Sequence, residues 1–149
     1  MTGPVRWEPY LWEEPHPVEP RELELLEQQW GVQLPEDYKR LVGACQGMTP
    51  IPCGLKVGGG NDAFCALLTV RMYENLEPYC VHEVLRDWAP QLPKGLYPFA
   101  TTSGGEHLFF DYRSSPTSPK VVHVSVEATV TPVADSFQVL LENLFEPPY

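Results

Sequence analysis

Seventeen prolines in a chain of 149 residues limit the length of every element it can form. Proline lacks a backbone N–H and fixes φ, so it suits a helix start, a turn or a strand edge and interrupts the interior of either element. The fold must therefore be assembled from short pieces joined by turns. Several prolines stand where such pieces begin or end: Pro20 and Pro35 ahead of apolar runs, Pro90 and Pro93 behind another. With 43% hydrophobic and 20% charged residues, the chain has the material for one domain with a real core, needing no staples.

The pieces can be read from their periodicity. Pro20 suits a first helical position, and Leu23, Leu26 and Trp30 follow on one face until Gly31 offers a left-handed stop, giving a helix over about 20–30. Pro35 opens a second helix, with Glu36 and Asp37 at the positive end of its dipole, Tyr38, Leu41, Val42 and Cys45 on one face, and Gly47 at its close. Between Cys53 and Leu68 two apolar runs flank Gly58-Gly59-Gly60-Asn61-Asp62, the pattern of two strands joined by a tight glycine turn. No Lys-Ser/Thr follows those glycines, so they do not form a phosphate-cradling loop. From Thr69 to Leu76, Thr69 either caps a short helix carrying Val70 and Tyr73 or continues a strand, and the short helix is the expectation. Val81, Val84, Leu85 and Trp88 then mark an amphipathic helix ended by Pro90.

After Gly95 the period changes to two. Tyr97 to Thr101, His107 to Tyr112 and the alternating Val122, Val124 and Val126 read as antiparallel strands, with a short fourth strand over Thr129 to Val133. Asp135 is the expected N-cap of a last helix, paired with Gln138 in a capping box, and Phe137, Leu140, Leu141 and Leu144 form its buried face. The fold class is therefore α+β: one domain over 20–149, with a central antiparallel or mixed sheet covered by N-terminal, middle and C-terminal helices. Residues 1–19, with Trp7, Tyr10, Leu11 and Trp12 among prolines, read as an arm packed on that domain, although the acidic pair Glu13-Glu14 is also suited to a partner.

Twenty acidic residues against ten basic ones give a net charge of -10. Such a field repels nucleic acid and anionic lipid and attracts basic partners. Acidity is also common in soluble cytoplasmic proteins, so it supports a partner only where another observation proposes one. The N-terminus shows no basic segment followed by an apolar core. The longest nearly apolar stretch, Phe64 to Val70, is far below the roughly 20 residues that span a bilayer. A soluble, cytoplasmic protein is expected. Cys45, Cys53, Cys65 and Cys80 show no Cys-x-x-Cys spacing and are expected as reduced, buried thiols. A zinc set of Cys80, His82, Cys53 and Cys65 is the alternative, but its gaps match no common structural-zinc pattern, and no metal or cofactor is expected.

One ordered series of short motifs points further. Trp30-Gly31 is followed by Leu34-Pro35-Glu36-Asp37-Tyr38, then Leu41 and Gly47. Downstream come Pro98-Phe99-Ala100, Gly104-Gly105, Asp111, Val121-Val122 and Ala134-Asp135-Ser136-Phe137. This order over about residues 20–145 resembles the SUKH superfamily, which includes a fungal cell-wall assembly regulator and many bacterial immunity proteins that bind and silence a toxin. The family often ends its second helix in an Asn-Gly-Gly-like turn, whereas this chain has Cys45-Gln46-Gly47-Met48. Most matching residues have a structural use as a turn, cap or core position. The resemblance thus implies a fold first and a function only by association.

What it implies is a non-enzymatic immunity protein that binds a cognate polymorphic or contact-dependent toxin, a basic nuclease being one candidate, with no nucleic acid or membrane as partner. The oligomeric state is not readable. An intracellular adaptor like the fungal regulator is the alternative, and the short flanks of this chain favour immunity. A hydrolase with Cys80 or Cys45 as nucleophile and His82, His107 or His123 as base is the third reading, without a recognised nucleophile motif. Asp62 and Glu106 are conceivable paired carboxylates, although nothing in the sequence brings them together. The residues expected at a partner surface are Asp62 in the glycine turn, Glu74 and Glu77 ahead of the third main helix, Asp87 on it, and Tyr112 and Arg113 at a strand exit.

Overall fold

The computed structural model describes residues 5–147. Met1 to Pro4 of the expected arm, and Pro148 and Tyr149 at the end of the expected domain, lie outside the described residues.

Helix α1 (Pro20–Trp30) starts with Pro20 in its first turn, while the Glu22 carboxylate accepts the Glu19 N–H at 2.9 Å. It stops at Gly31, whose φ of 69° is left-handed. Helix α2 (Glu36–Cys45) begins directly after Pro35 and buries Tyr38 and Val42. A short strand follows, β2 (Thr49–Ile51), which pairs antiparallel with β1 (Arg6–Glu8) of the N-terminal arm. The arm thus contributes an edge ribbon where only a proline-interrupted packing segment was expected, and Trp7 meets Phe64 edge-on at 5.8 Å.

The main sheet is wholly antiparallel, with strand order β3-β4-β5-β6-β7-β8 following chain order. Strands β3 (Gly54–Val57) and β4 (Gly60–Leu67) are joined by the tight turn at Gly58-Gly59. They are followed by helix α3 (Val81–Trp88), β5 (Leu96–Thr102), β6 (His107–Asp111), β7 (Lys120–Val124), β8 (Val130–Ala134) and helix α4 (Phe137–Glu142). Register shifts between Phe64 and Ala66, Pro98 and Ala100, and Val121 and Val122 are bulges that increase local bend and twist. The sheet curls until its outer strands β3 and β8 approach one another.

Tyr38 of α2 is the hub of an aromatic core. Its ring lies 5.0 Å from Phe110, 5.6 Å from Phe137 and 6.0 Å from Phe99, in edge-to-face contacts, and Phe99 stacks on Phe110 at 4.2 Å. Helices α2 and α4 are thereby anchored to β5 and β6. Tyr97 and Tyr112 tie α1 to the same strands by donating to the carbonyls of Trp30 and Gln33 at 3.0 and 2.8 Å.

Two expectations are corrected. Thr69 to Leu76 is not helical: the Thr69 N–H donates to the Tyr79 carbonyl and its own carbonyl accepts from Val81, forming a bridge to Cys80. Its hydroxyl donates to the Arg71 carbonyl at 2.8 Å and caps nothing, and the chain then turns through Asn75 at a φ of 68°. The cap of α4 is Ser136, whose Oγ accepts the Val139 N–H at 3.1 Å. Asp135 is exposed one residue earlier, and Gln138 donates forward to Glu142 instead of back to a cap.

Candidate functional site

The curl of the sheet assembles side chains that are far apart along it. Asp62 is on β4 and His123 on β7, three strand spacings or about 14 Å apart in a flat sheet. Here His123 Nε2 lies 3.1 Å from Asp62 Oδ2. It also lies 3.2 Å from Oε1 of Glu106, which directly precedes β6 after the Ser103-Gly104-Gly105 turn. Gly105 has a φ of 74°, a conformation that glycine adopts freely, and this turn sets Glu106 at the mouth of the curled sheet.

Each carboxylate is held by its other oxygen. Asp62 Oδ1 accepts from Ser103 Oγ and from the Ala63 N–H, both at 2.7 Å, and Glu106 Oε2 accepts the Val126 N–H at 3.1 Å. Burial pushes the Asp62 carboxyl up, but hydrogen bonds from Ser103, Ala63 and His123, together with the nearby Thr102 hydroxyl, outweigh it and hold the group below the ordinary carboxylate range. On the neighbouring strand position, burial and the His123 ring keep His107 neutral, its pKa pushed down to about 4.

The cluster contains a hydroxyl, a carboxylate and an imidazole, yet not in the order nucleophilic catalysis needs. Ser103 is bonded to the carboxylate instead of the imidazole, and an acid held below the usual range is a weak base. Among the described residues no cysteine is hydrogen-bonded to a histidine. Burial pushes the Cys45, Cys53 and Cys65 thiols up, and Cys80 is completely enclosed. The set Cys53, Cys65, Cys80 and His82 does not come together as metal ligands, and the cluster that does converge among the described residues is Asp62, Glu106 and His123.

A second feature lies where the arm meets the segment leading into α3. Trp12 contacts Tyr73 edge-on at 4.9 Å and Tyr10 approaches Tyr79 at 6.4 Å, so the two segments form one surface. Glu13, Glu14, Glu74 and Glu77 are all exposed on it, and among the described residues none has a cation at ion-pair distance. Tyr10 and Met72 add apolar area, at 49% and 48% exposure.

The residues expected at a partner surface separate accordingly. Glu74 and Glu77 sit together on this acidic and aromatic surface. Asp87 is exposed on α3 beside Arg86, 3.7 Å from its Nε. Asp62 is in β4 instead of the glycine turn, largely enclosed and committed to Ser103 and His123. Tyr112 is buried with its hydroxyl on Gln33, and Arg113 is clamped to both oxygens of Asp111. Arg113 also lines a groove of about 610 Å³ beside β8 whose walls include Lys120, Pro132 and Asp135. The sequence contained the signal for Glu13 and Glu14, but only the ring contacts of Trp12 bring their segment against the one that carries Glu74.

A family model described as the SMI1 / KNR4 family (SUKH-1) matches residues 17–143. The chain belongs to this family. The match covers α1 through α4, so the SUKH-1 assignment agrees with the order of motifs and with the α+β architecture. It encloses Asp62, Glu106 and His123 as well as Glu74 and Glu77, whereas Tyr10, Glu13 and Glu14 precede it. The comparison with curated proteins found no match. Among the described residues no helix is long and apolar enough to cross a membrane.

Proposed function

We propose that this chain is a non-enzymatic immunity protein that acts in the cytoplasm by holding a cognate basic toxin in a stoichiometric complex. The observation that carries the reading is the surface where the arm packs on residues 70–79: these two segments carry exposed Tyr10 and Met72 and four exposed carboxylates, none with a cation at ion-pair distance among the described residues. Aromatic side chains supply rigid contact area, methionine adapts to an irregular partner surface, and rim carboxylates steer a positively charged partner. Membership of the SUKH-1 family and the net charge of -10 favour the same reading. A toxin that acts on nucleic acid carries a basic face, which is what an acidic inhibitor is suited to cover.

The fold supports such a role because the surface rests on a rigid base. Gln46 and the Trp12–Tyr73 contact fix the arm against the loop, so little ordering is left to the moment of binding. The test is co-expression with the toxic product of the adjacent reading frame, scoring growth and co-purification. Rescue together with a one-to-one complex supports immunity. Growth arrest without a complex overturns it, and capture of several signalling proteins in place of one toxin points to an adaptor.

A further inference from the structure

The geometry points to a binding site for one divalent transition-metal ion, of the zinc or manganese type, formed by Asp62 Oδ2, Glu106 Oε1 and His123 Nε2. One ligand atom from each of the three residues lies within 4.8 Å of the other two. The imidazole nitrogen is 3.1 and 3.2 Å from the two oxygens. For metal–ligand bonds of about 2.1 Å, such separations subtend angles of roughly 95–100°, compatible with an octahedral or distorted tetrahedral ion.

The arrangement is difficult to satisfy without a cation. One Nε2 carries at most one proton, so it cannot donate a well-aligned hydrogen bond to two separate carboxylates at once. Among the described residues no Lys or Arg pairs with either acid, so two neighbouring negative groups share only this ring. Both carboxylates are also oriented as monodentate ligands are. Ser103 and Ala63 hold one oxygen of Asp62, Val126 holds one oxygen of Glu106, and the free oxygens face the imidazole.

A buried hydroxyl lies beside the cluster. The Thr102 hydroxyl is buried, its residue 3% exposed, and it lies near the Asp62 carboxylate without a well-aligned hydrogen bond to it or to any other group among the described residues. Thr102 pairs across the strands with Phe64, which shares the face of Asp62 two residues earlier, so this hydroxyl is directed to the same end of the sheet. A buried, unsatisfied hydroxyl there is suited to a metal-bound water. The side chains of Asp62 and Glu106 keep 12% and 22% of their surface, leaving a solvent path for such waters. Imidazole with two carboxylates favours a first-row transition ion over magnesium or calcium, whose preferred shells are all oxygen. The ion would tie β4, the start of β6 and β7 together across the open end of the curl. This site is independent of the identity of any protein partner.

The test uses the full chain freed of metal by chelation and titrated separately with zinc and manganese chloride by calorimetry, with thermal melting run alongside. One equivalent of either ion should bind with a dissociation constant of about 10 μM or tighter, and saturation should raise Tm by several degrees. Glu106→Gln, at a half-buried turn position, should weaken binding at least tenfold, and His123→Gln should do the same. If His123→Gln does not fold, Glu106→Gln alone decides. Absence of binding up to about 1 mM of either ion, or unchanged affinity in Glu106→Gln, overturns the site.

Discussion

Gln46 Nε2 donates to the carbonyl oxygen of His16 at 2.8 Å, binding the end of α2 to the N-terminal arm. The same nitrogen donates to Tyr73 Oη at 3.0 Å, and Oε1 accepts the Val70 N–H at 2.9 Å, so one fully buried amide joins arm, helix end and loop. This residue stands where the wider family often carries an Asn-Gly-Gly-like turn. Truncation leaves buried backbone groups unpaired, so Gln46→Ala should cost about 2–4 kcal/mol in urea unfolding. Proteolysis within residues 9–15 should accelerate in the same variant. An unchanged midpoint and unchanged cleavage would show that the arm is held by its ring contacts alone.

Gly47 supports the same junction by staying small. Its φ is 75°, and a Cβ there would meet the Trp12 ring at 2.7 Å. Gly47→Ala should therefore destabilise by about 2 kcal/mol or more and shift tryptophan fluorescence toward that of exposed indole. A variant with native stability and native emission would contradict the packing described for Trp12.

Tyr38 makes the opposite prediction. Its hydroxyl is buried among Phe99, Phe110 and Phe137 with no partner among the described residues, and burial raises the pKa far above that of a free phenol. Removing an unsatisfied hydroxyl while keeping the ring should help, so Tyr38→Phe is expected to gain about 1 kcal/mol by denaturant unfolding. A loss of similar size would mean that the hydroxyl has a partner in solution.

Much of this was legible where the deciding information is local. Leu23, Leu26 and Trp30, or Val81, Val84, Leu85 and Trp88, carry their helices in their own spacing, and Gly31 and Pro90 mark the ends nearby. Thr69 was not legible, because its backbone is claimed by Tyr79 and Val81, about ten residues on. Asp135 and Ser136 are both competent caps, and only the reach of Ser136 Oγ to Val139 separates them. Asp62, Glu106 and His123 meet through the curl of the sheet, a property of bulges and packing that no window of sequence contains. The acidic surface was half legible: Glu74 and Glu77 by position, Glu13 and Glu14 only through Trp12 and Tyr73.

Asp111 gives a pH prediction of defined sign. The Arg113 guanidinium holds its carboxyl below the usual range, against the opposing effect of burial. The folded-state pKa is therefore below the unfolded value of about 3.9. The resulting stability is fully present above that value and is lost as pH falls through the depressed one. Because Arg113 is well exposed, the effect near neutrality should stay below about 1 kcal/mol. Wild type and Arg113→Gln, compared by urea unfolding from pH 6 to 3, should differ by a constant amount down to about pH 4 and converge below it. A difference that persists unchanged at pH 3 would contradict the pairing.

On the reading proposed above, the acidic surface at the junction of arm and loop receives a basic protein. Stopped-flow association of the cognate toxin with wild type, and with Glu13→Lys, Glu14→Lys, Glu74→Lys and Glu77→Lys combined, tests it most directly over a range of salt concentrations. The wild-type association rate should fall steeply with salt. The combined variant should associate at least tenfold more slowly at low salt and lose most of that dependence. Equal rates and equal salt slopes for the two proteins would show that these carboxylates do not receive the toxin.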